Sequence, residues 1–254
     1  MTPAQAGEAG HGEDRGLVDL IPAVVLRSDN LTRVQPSLQD VLEKAAQLQE
    51  LVPGAVLVGG SAAALYAHHR QSFDHDHVVA DLAERFDTIL ENLEALGDWS
   101  MTKAQPGKII LGELGGIETG VRQLLRSRPL ETTQIEVRDK RLVIPTAAEI
   151  LRIKAWLALS RNQTRDYLDI AALATQIGLD DAAAVLADID DYYADMNKRP
   201  EAVATQLVRQ LADPRPRDVE VTTQLASYKA LDPRWHDWRT VKTTLADLAE
   251  RMVR

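Results

Sequence analysis

The chain contains no cysteine among its 254 residues. Disulfide bonds, zinc–thiolate sites and catalysis by a thiol are therefore excluded. Long apolar runs are also missing: residues 17–26 are interrupted by Asp19 and Pro22 and are too short to cross a bilayer. The acidic N-terminus lacks the basic region of a signal peptide. We therefore expect a soluble, cytoplasmic protein without a membrane partner.

Positive charge is scarce overall, with 29 Lys and Arg against 38 Asp and Glu and a formal net charge of −9. That balance by itself disfavours a nucleic-acid-binding protein. Residues 122–165 differ, because ten bases and four acids give this segment a net charge of +6, whereas the other 19 bases and 34 acids give −15. A basic segment in an acidic chain suits local contact with a polyanion, and ion pairs or solvated helix faces are the alternative.

A strand, a glycine turn and a helix are predicted in succession at residues 55–70. The apolar run AVLV at residues 55–58 is typical of a buried strand. Gly59 and Gly60 allow a sharp turn and the close approach of a ligand, and Ser61 is placed to cap the helix that follows. The N-terminus of such a helix favours a phosphate group, because backbone N–H groups and the positive end of the helix dipole point toward it.

A second strand is predicted next, and it carries two acids and two histidines in alternation. Asp74 and Asp76 therefore lie on one face, and His75 and His77 lie on the other. Two neighbouring carboxylates facing a phosphate-binding turn suit Mg²⁺, either one ion or two. Solvated acids on a surface strand are the alternative. For the histidines we prefer hydrogen-bonded core residues to a transition-metal site.

Three regions are predicted along the chain. Residues 1–35 form a disordered or loosely ordered segment, because their start has no hydrophobic periodicity. Residues 36–145 alternate strands and helices, although the pattern does not decide between strand and helix for residues 117–128. Residues 146–254 are almost entirely helical, beginning with a capping box formed by Thr146 and Glu149.

Two groups of motifs carry a family resemblance over roughly residues 50–175. The order of strand, Gly-Gly-Ser, helix and Asp-x-Asp resembles the DNA polymerase β-like nucleotidyltransferase superfamily. The second group lies in residues 147–173 and consists of Lys154, Arg161, Arg165, Asp166, Tyr167 and Asp169. It resembles the AbiEii/AbiGii family of nucleotidyltransferase toxins, which includes the MenAT-type toxins that act on tRNA.

The resemblance implies an α/β fold of the α+β type: a small mixed nucleotidyltransferase sheet with flanking helices, followed by an all-helical C-terminal half that completes the active site. It also implies a Mg²⁺-dependent enzyme that transfers NMP from an NTP to an RNA acceptor, such as the tRNA 3′ end, and releases pyrophosphate. A cognate antitoxin is the implied partner in a type IV toxin–antitoxin system. A small-molecule or protein acceptor, or a non-catalytic interaction module, remains open.

The resemblance assigns catalytic roles to four residues. Asp74 and Asp76 bind metal, Lys154 contacts the nucleotide phosphates, and Asp169 assists from the next helix. A purely structural ion pair between Lys154 and Asp169 is the alternative.

The remaining expectations concern the nucleotide and a third metal ligand. The expected nucleotide-binding residues are Gly59, Gly60, Ser61, Arg70, Ser72, Lys154 and Arg165. Arg165 alternatively pairs with Asp169, which lies one helical turn away. Glu136 is the candidate for the third metal ligand because it is central in a short predicted strand, and Glu113 and Glu118 are its rivals.

Overall fold

A mixed five-stranded sheet lies at the centre of the structure, a computed structural model that describes residues 36–254. The strands run in the order β1-β2-β5-β4-β3. The pair β2–β5 is parallel and the other three pairs are antiparallel, so the predicted mixed sheet is confirmed. The strands are β1 (Val56–Val58), β2 (Asp74–Val79), β3 (Trp99–Gln105), β4 (Ile109–Leu114) and β5 (Ile117–Gln123).

Two further strands form a separate hairpin before the helical region. They are β6 (Thr132–Val137) and β7 (Lys140–Pro145), which pair antiparallel. The chain turns between them with Arg138 at a φ of +53°, in the left-handed region. Two short strands at this place agree with the sequence prediction, and β7 packs against β1 and the first helix of the described chain.

Helices α1 (Leu38–Leu51) and α3 (Leu82–Glu94) pack on one face of the five-stranded sheet. The predicted N-cap of α1 is present, because Ser37 and Asp40 exchange hydrogen bonds in a capping box. Apolar residues of both helices meet the sheet residues of the same face in one hydrophobic cluster. This cluster contains Leu48, Val52, Ala55, Val79, Leu82, Phe86, Ile89, Leu93, Ile110, Leu114 and Val121.

Helix α2 (Gly59–Ala67) connects β1 to the stretch before β2, and six α-helices follow the hairpin. These are α4 (Ala147–Arg161), α5 (Thr164–Ile177), α6 (Leu179–Ala187), α7 (Asp190–Tyr193), α8 (Val203–Ala212) and α9 (Trp238–Arg251). The hydroxyl of Thr146 accepts the backbone N–H of Glu149, as the predicted cap requires. The Glu149 carboxylate does not complete a capping box, because it bonds Arg126 and Arg152 instead.

The larger hydrophobic cluster runs across residue 145. It joins side chains of α1, β1, α2 and the hairpin to those of the helical region. The described residues 36–254 accordingly belong to one compact unit. Residue 145 marks a change from strands to helices, and a domain boundary there stays a prediction. The predicted loose segment 1–35 lies outside the described residues.

Three local predictions differ from the structure. Helix α2 ends at Ala67 rather than near Arg70, because His68 takes a left-handed conformation with a φ of +48°. Strand β3 was not expected, since most of its side chains are exposed and show no alternation. Residues 117–123, left open by their pattern, are a strand because they pair with both β2 and β4.

Within residues 36–254, no single helix is both long and apolar enough to cross a membrane. The pair α5 and α6 passes that test only when joined, and the two helices are bent by 118° at their junction.

Candidate active site

The predicted glycine turn, Gly59 and Gly60, forms the start of α2 and lies directly against the side chains that precede and form β2. Gly59 has a φ of +77°, and a Cβ there would lie 3.4 Å from Oδ2 of Asp76. A Cβ on Gly60 would lie 2.6 Å from Oγ of Ser72 and 2.8 Å from Nη2 of Arg70. Glycine is therefore required at both positions for the backbone to approach these polar groups.

Ser61 has a different role from the one predicted. Helix α2 begins at Gly59, so Ser61 lies inside its first turn and is not the N-cap. Its buried hydroxyl donates a hydrogen bond to the backbone carbonyl of Asp74. Ser61 thus ties the start of β2 to the glycine turn and does not present its hydroxyl to a ligand.

Asp74 and Asp76 share one face of β2, as the alternation predicted. Oδ1 of Asp74 accepts the hydroxyl of Ser72 at 2.8 Å. Asp76 packs beside Gly120 of β5, where a Cβ would come within 2.3 Å of its Oδ1. Oδ1 of Asp76 also lies 3.4 Å from Nε of Arg122. Ser72 therefore orients one carboxylate, and the absence of a side chain at Gly120 makes room for the other.

The pKa of Asp74 is lowered by charges from three parts of the chain. Burial alone would raise this pKa, but Lys229, the Ser72 hydrogen bond, Arg70 and Arg165 together outweigh it. The carboxyl is consequently ionised at neutral pH. Its charge makes it a suitable oxygen ligand for a hard cation.

Glu136 does not join the aspartates. It lies exposed on β6 of the hairpin, opposite Arg141, while the aspartates belong to the five-stranded sheet. The strand register instead places Glu118 of β5 opposite Asp74 and on the same face of the sheet. Of the two rivals to Glu136, Glu118 is therefore nearest to the aspartates in register, with Glu113 opposite it on β4.

Lys154 and Asp169 form a buried ion pair instead of lining an open cleft. Nζ of Lys154 lies 2.7 Å from Oδ2 of Asp169, and their side chains are 2% and 0% exposed. Asp169 also accepts Nε and Nη2 of Arg70 at 2.8 and 3.0 Å and bonds Nε2 of His69 at 2.7 Å. The fold thus contains the ion pair that the sequence left open, and both of its side chains are buried.

The charges of this buried network are mutually dependent. Burial would raise the pKa of Asp169, but Arg70, Lys154 and His69 hold it well below its ordinary value. Burial also lowers the pKa of Lys154, and attraction by Asp169 opposes that effect. The network has one direct consequence for the site: it fixes the guanidinium of Arg70 between Asp169, Gly60 and Ser72.

Arg165 lies near the aspartates and does not pair with Asp169 within the described residues. It contributes to the lowered pKa of Asp74. Its Nε is buried and has no hydrogen-bond partner among residues 36–254. The residue as a whole is only partly buried, and its guanidinium forms no ion pair with an acid among residues 36–254.

Sequence reasoning missed two cations of the site, Arg122 and Lys229. Arg122 is on β5, and the only feature of the sequence that pointed to it as a site residue was its position in the basic segment 122–165. Lys229 lies 155 residues after Asp74 in an irregular loop that no motif marks. Only the packing of this loop on residues 69–71 reveals that it belongs to the site.

The basic segment 122–165 is largely neutralised by ion pairs. Among residues 36–254, seven of its ten bases lie within 4 Å of an acid, which is the alternative that the sequence left open. The pairs are Arg122–Asp76, Arg126–Glu149, Arg138–Glu43, Lys140–Glu50, Arg152–Glu131, Lys154–Asp169 and Arg161–Asp166.

His75 and His77 point into the layer beneath the sheet, away from the aspartates, as predicted. Both are buried, and their rings meet edge to face with centroids 5.3 Å apart. Nε2 of His75 bonds the hydroxyl of Thr119, whereas His77 faces the backbone of Ala45 without a well-formed hydrogen bond. The expectation of fully hydrogen-bonded core histidines therefore holds only in part.

The donor set fits a Mg²⁺ ion that binds together with a phosphate-bearing substrate. Asp74 and Asp76 offer carboxylate oxygens as ligands. Within residues 36–254, no group of three or more His, Asp or Glu side chains is arranged to hold a metal without a substrate. Mg²⁺ typically binds through one or two carboxylates and completes its shell with water and substrate phosphates. Arg70, Arg122, Arg165 and Lys229 surround the pair with positive charge suited to such an anion.

Comparisons with known proteins give two kinds of similarity. No family profile matches the chain. The heme uptake protein MmpL11 of Mycobacterium tuberculosis is 33% identical over 230 residues, covering 80% of this chain and 22% of that protein. The chain thus spans about a fifth of the length of the curated relatives it matches.

The structural neighbours are nucleotidyltransferases. A crystal structure from H. pylori whose description names a nucleotidyltransferase has 17% identity and a TM-score of 0.46, covering 84% of this chain and 92% of its own. The structure of ANT(2″)-Ia in complex with adenylyl-2″-tobramycin has 13% identity and a TM-score of 0.46, covering 60% and 97%. The observed architecture is a mixed α/β structure whose sheet is flanked by helices and followed by a helical region.

Proposed function

We propose that this chain transfers a nucleoside monophosphate from an NTP to an acceptor and releases pyrophosphate. One observation carries the proposal: Asp74 and Asp76 face a glycine turn, and two cations near Asp74, Arg165 and Lys229, have no acidic partner among residues 36–254. Carboxylates suited to Mg²⁺ and cations suited to phosphate occur together in sites that act on nucleotide polyphosphates. Neither group alone would support the proposal.

The chain's own residues would bind and orient the polyphosphate. When bound by Asp74 and Asp76, Mg²⁺ would offset charge that develops on the phosphate oxygens. Gly59 and Gly60 bring the start of α2 against Asp76, Ser72 and Arg70, so a phosphate held by these side chains would lie near the first turn of the helix. The partly buried guanidinium of Arg165, which has no acidic partner among residues 36–254, would donate to a phosphate oxygen and hold the substrate for in-line attack.

The buried network would act indirectly. Asp169 holds Arg70 with two hydrogen bonds, and Lys154 shares the charge of that carboxylate. We therefore propose that Arg70 binds substrate beside the glycine turn, and that Lys154 and Asp169 act only by positioning Arg70. Their intact presence supports the fold more directly than it supports catalysis.

We further propose an RNA acceptor, with the tRNA 3′ end as the first candidate and a cognate antitoxin as the partner. This finer proposal rests on the motif order that resembles AbiEii/AbiGii toxins. The basic segment supports it less than its net charge suggests, because most of its bases already have acidic partners. Growth arrest on expression that is abolished by Asp76→Asn would support the toxin role, and unaffected growth would contradict it.

The test of transfer is incubation of the purified chain with each α-³²P-NTP, Mg²⁺ and a panel of acceptors. We expect one labelled acceptor with wild type and none with Asp76→Asn, which keeps the shape of the side chain but removes its charge. Asp87→Asn is the matched control, because Asp87 is an exposed acid on α3. Circular dichroism establishes that each variant is folded.

The identity of the labelled acceptor separates the alternatives. Label in tRNA supports the RNA proposal. Label in a small molecule or a protein would support nucleotidyl transfer but contradict RNA as the acceptor. Equal labelling by wild type and Asp76→Asn would refute the assigned site.

A second candidate function is a non-catalytic module that works with a membrane transport protein. The similarity to about a fifth of MmpL11 is the observation behind this candidate. Co-sedimentation of this chain with MmpL11 reconstituted in vesicles, together with no labelling from any α-³²P-NTP, would support this candidate. Labelling without co-sedimentation would reject it.

A further inference from the structure

A tight turn in the helical region is built from residues that disfavour its conformation. The N–H of Leu231 bonds the carbonyl of Tyr228 at 2.8 Å, and the two residues between them have positive φ. These are Lys229, with a φ of +44°, and Ala230, with a φ of +48°. Positive φ at both central positions is the geometry of a type I′ turn, in which glycine, asparagine and aspartate predominate.

Both ends of this turn are tied to the stretch that leads into β2. The N–H of Gln71 donates to the carbonyl of Lys229 at 2.9 Å, and the N–H of Asp232 donates to the carbonyl of His69 at 2.7 Å. These bonds join segments about 160 residues apart in the sequence. They fix the turn next to Arg70 and Ser72, which contact the glycine turn.

The side chain of Lys229 is exposed and has no acid within 4 Å among residues 36–254. Its charge nevertheless makes the largest of the charge contributions that lower the pKa of Asp74. The backbone bond to Gln71 places the residue next to Ser72, whose hydroxyl donates to Asp74. Unfavourable backbone geometry that is held by surrounding bonds and presents a free charge is typical of functional sites.

We infer that Lys229 binds the β- and γ-phosphates of the nucleotide, the part that leaves as pyrophosphate, and that the turn exists to hold it there. This inference rests on the proposed function. The turn gives the helical region a direct contact with the substrate, which neither Lys154 nor Asp169 can make from the buried network. A lysine suits this role because its ammonium is a compact donor to phosphate oxygens.

Isothermal titration of Mg²⁺·tripolyphosphate into the full chain tests the inference without a nucleobase or an acceptor. We expect Lys229→Gln to raise the Kd by about 10- to 100-fold, the range for losing a hydrogen bond between charged groups. Lys229→Arg should recover most of the affinity. Two controls should stay within about twofold of wild type: Lys242→Gln, an exposed lysine on α9, and Ala230→Gly, which relieves the backbone and keeps the charge.

The outcomes separate the inference from the function on which it rests. Failure of wild type to bind Mg²⁺·tripolyphosphate would overturn the proposed function. Binding by wild type with an unchanged Kd for Lys229→Gln would overturn only the role of Lys229. A loss in Lys229→Arg as large as that in Lys229→Gln would also overturn it, because restoring the positive charge would then not restore binding.

Discussion

Replacing Lys154 by methionine tests whether the buried network serves the fold. The substitution keeps an unbranched side chain of similar size and removes the charge that partners Asp169. Removing one member of a buried ion pair costs about 3–5 kcal/mol, because an uncompensated charge stays behind. Asp169 would keep Arg70 and His69, so we expect the lower end, about 3 kcal/mol. Asp169→Asn should cost more, since Arg70 and Lys154 would both lose their acid.

Thermal unfolding followed by circular dichroism measures this effect. A loss of about 3 kcal/mol corresponds to a fall in Tm of roughly 6–12 °C for a chain of this size. Lys242→Met is the matched control, because Lys242 is exposed on α9, and its Tm should stay near that of wild type. If Lys154→Met melts within about 2 °C of wild type, the network does not stabilise the fold as argued, and the expected contact between Lys154 and phosphate becomes the better explanation.

Three further outcomes follow from the described contacts. Burial lowers the pKa of His75 to about 4 and that of His77 well below its ordinary value, so both stay neutral in the fold while the unfolded chain takes up protons below pH 6.5. Unfolding free energy measured in urea should therefore fall between pH 6.5 and 4, by about 3 kcal/mol from His75 alone, and a flat profile would contradict this. His77→Leu should make this fall smaller, leaving the part that comes from His75, without destabilising the protein at pH 7, since no well-formed hydrogen bond is lost. Gly120→Ala should weaken Mg²⁺·tripolyphosphate binding at least tenfold in titration, because its Cβ would displace Asp76, and an unchanged affinity would show that Asp76 need not stay in place.

Local patterns were sufficient to predict the part of the site that is continuous in sequence. The order of β1, the glycine turn, α2 and β2 follows from apolar runs, two glycines and strict alternation. Alternation also put Asp74 and Asp76 on one face and the two histidines on the other. These features depend on neighbours within a few residues, which a single sequence displays directly.

Residue type and spacing did not decide the roles of Lys154 and Asp169. Their separation allowed them to meet across the α4–α5 hairpin, and the structure confirms that meeting. Whether such a pair faces ligand or core depends on what covers it. Here Arg70 and His69, a hundred residues away in sequence, enclose Asp169 completely.

Contacts between distant segments could not be predicted at all. Glu136 was chosen for its place in a short strand, but strand register decides which acids are neighbours. The strand of Glu136 belongs to the β6–β7 hairpin, whereas the aspartates pair with β5 in the five-stranded sheet. The turn carrying Lys229 has no hydrophobic period and uses residues that turn statistics disfavour. Its location follows from backbone hydrogen bonds that only the folded chain reveals.

The most direct test of the account compares two labels of the same nucleotide in parallel reactions. Wild type and Mg²⁺ are incubated with tRNA and total small-molecule acceptors, and the NTP carries ³²P at the α-phosphate in one reaction and at the γ-phosphate in the other. Nucleotidyl transfer breaks the bond between the α- and β-phosphates, so the label should reach the acceptor from α-³²P-NTP and leave as pyrophosphate from γ-³²P-NTP. Acceptor labelled from γ-³²P-NTP would show phosphoryl transfer instead. No labelled acceptor from either nucleotide, across all four bases, would contradict the claim that Asp74 and Asp76 form a nucleotidyltransferase site.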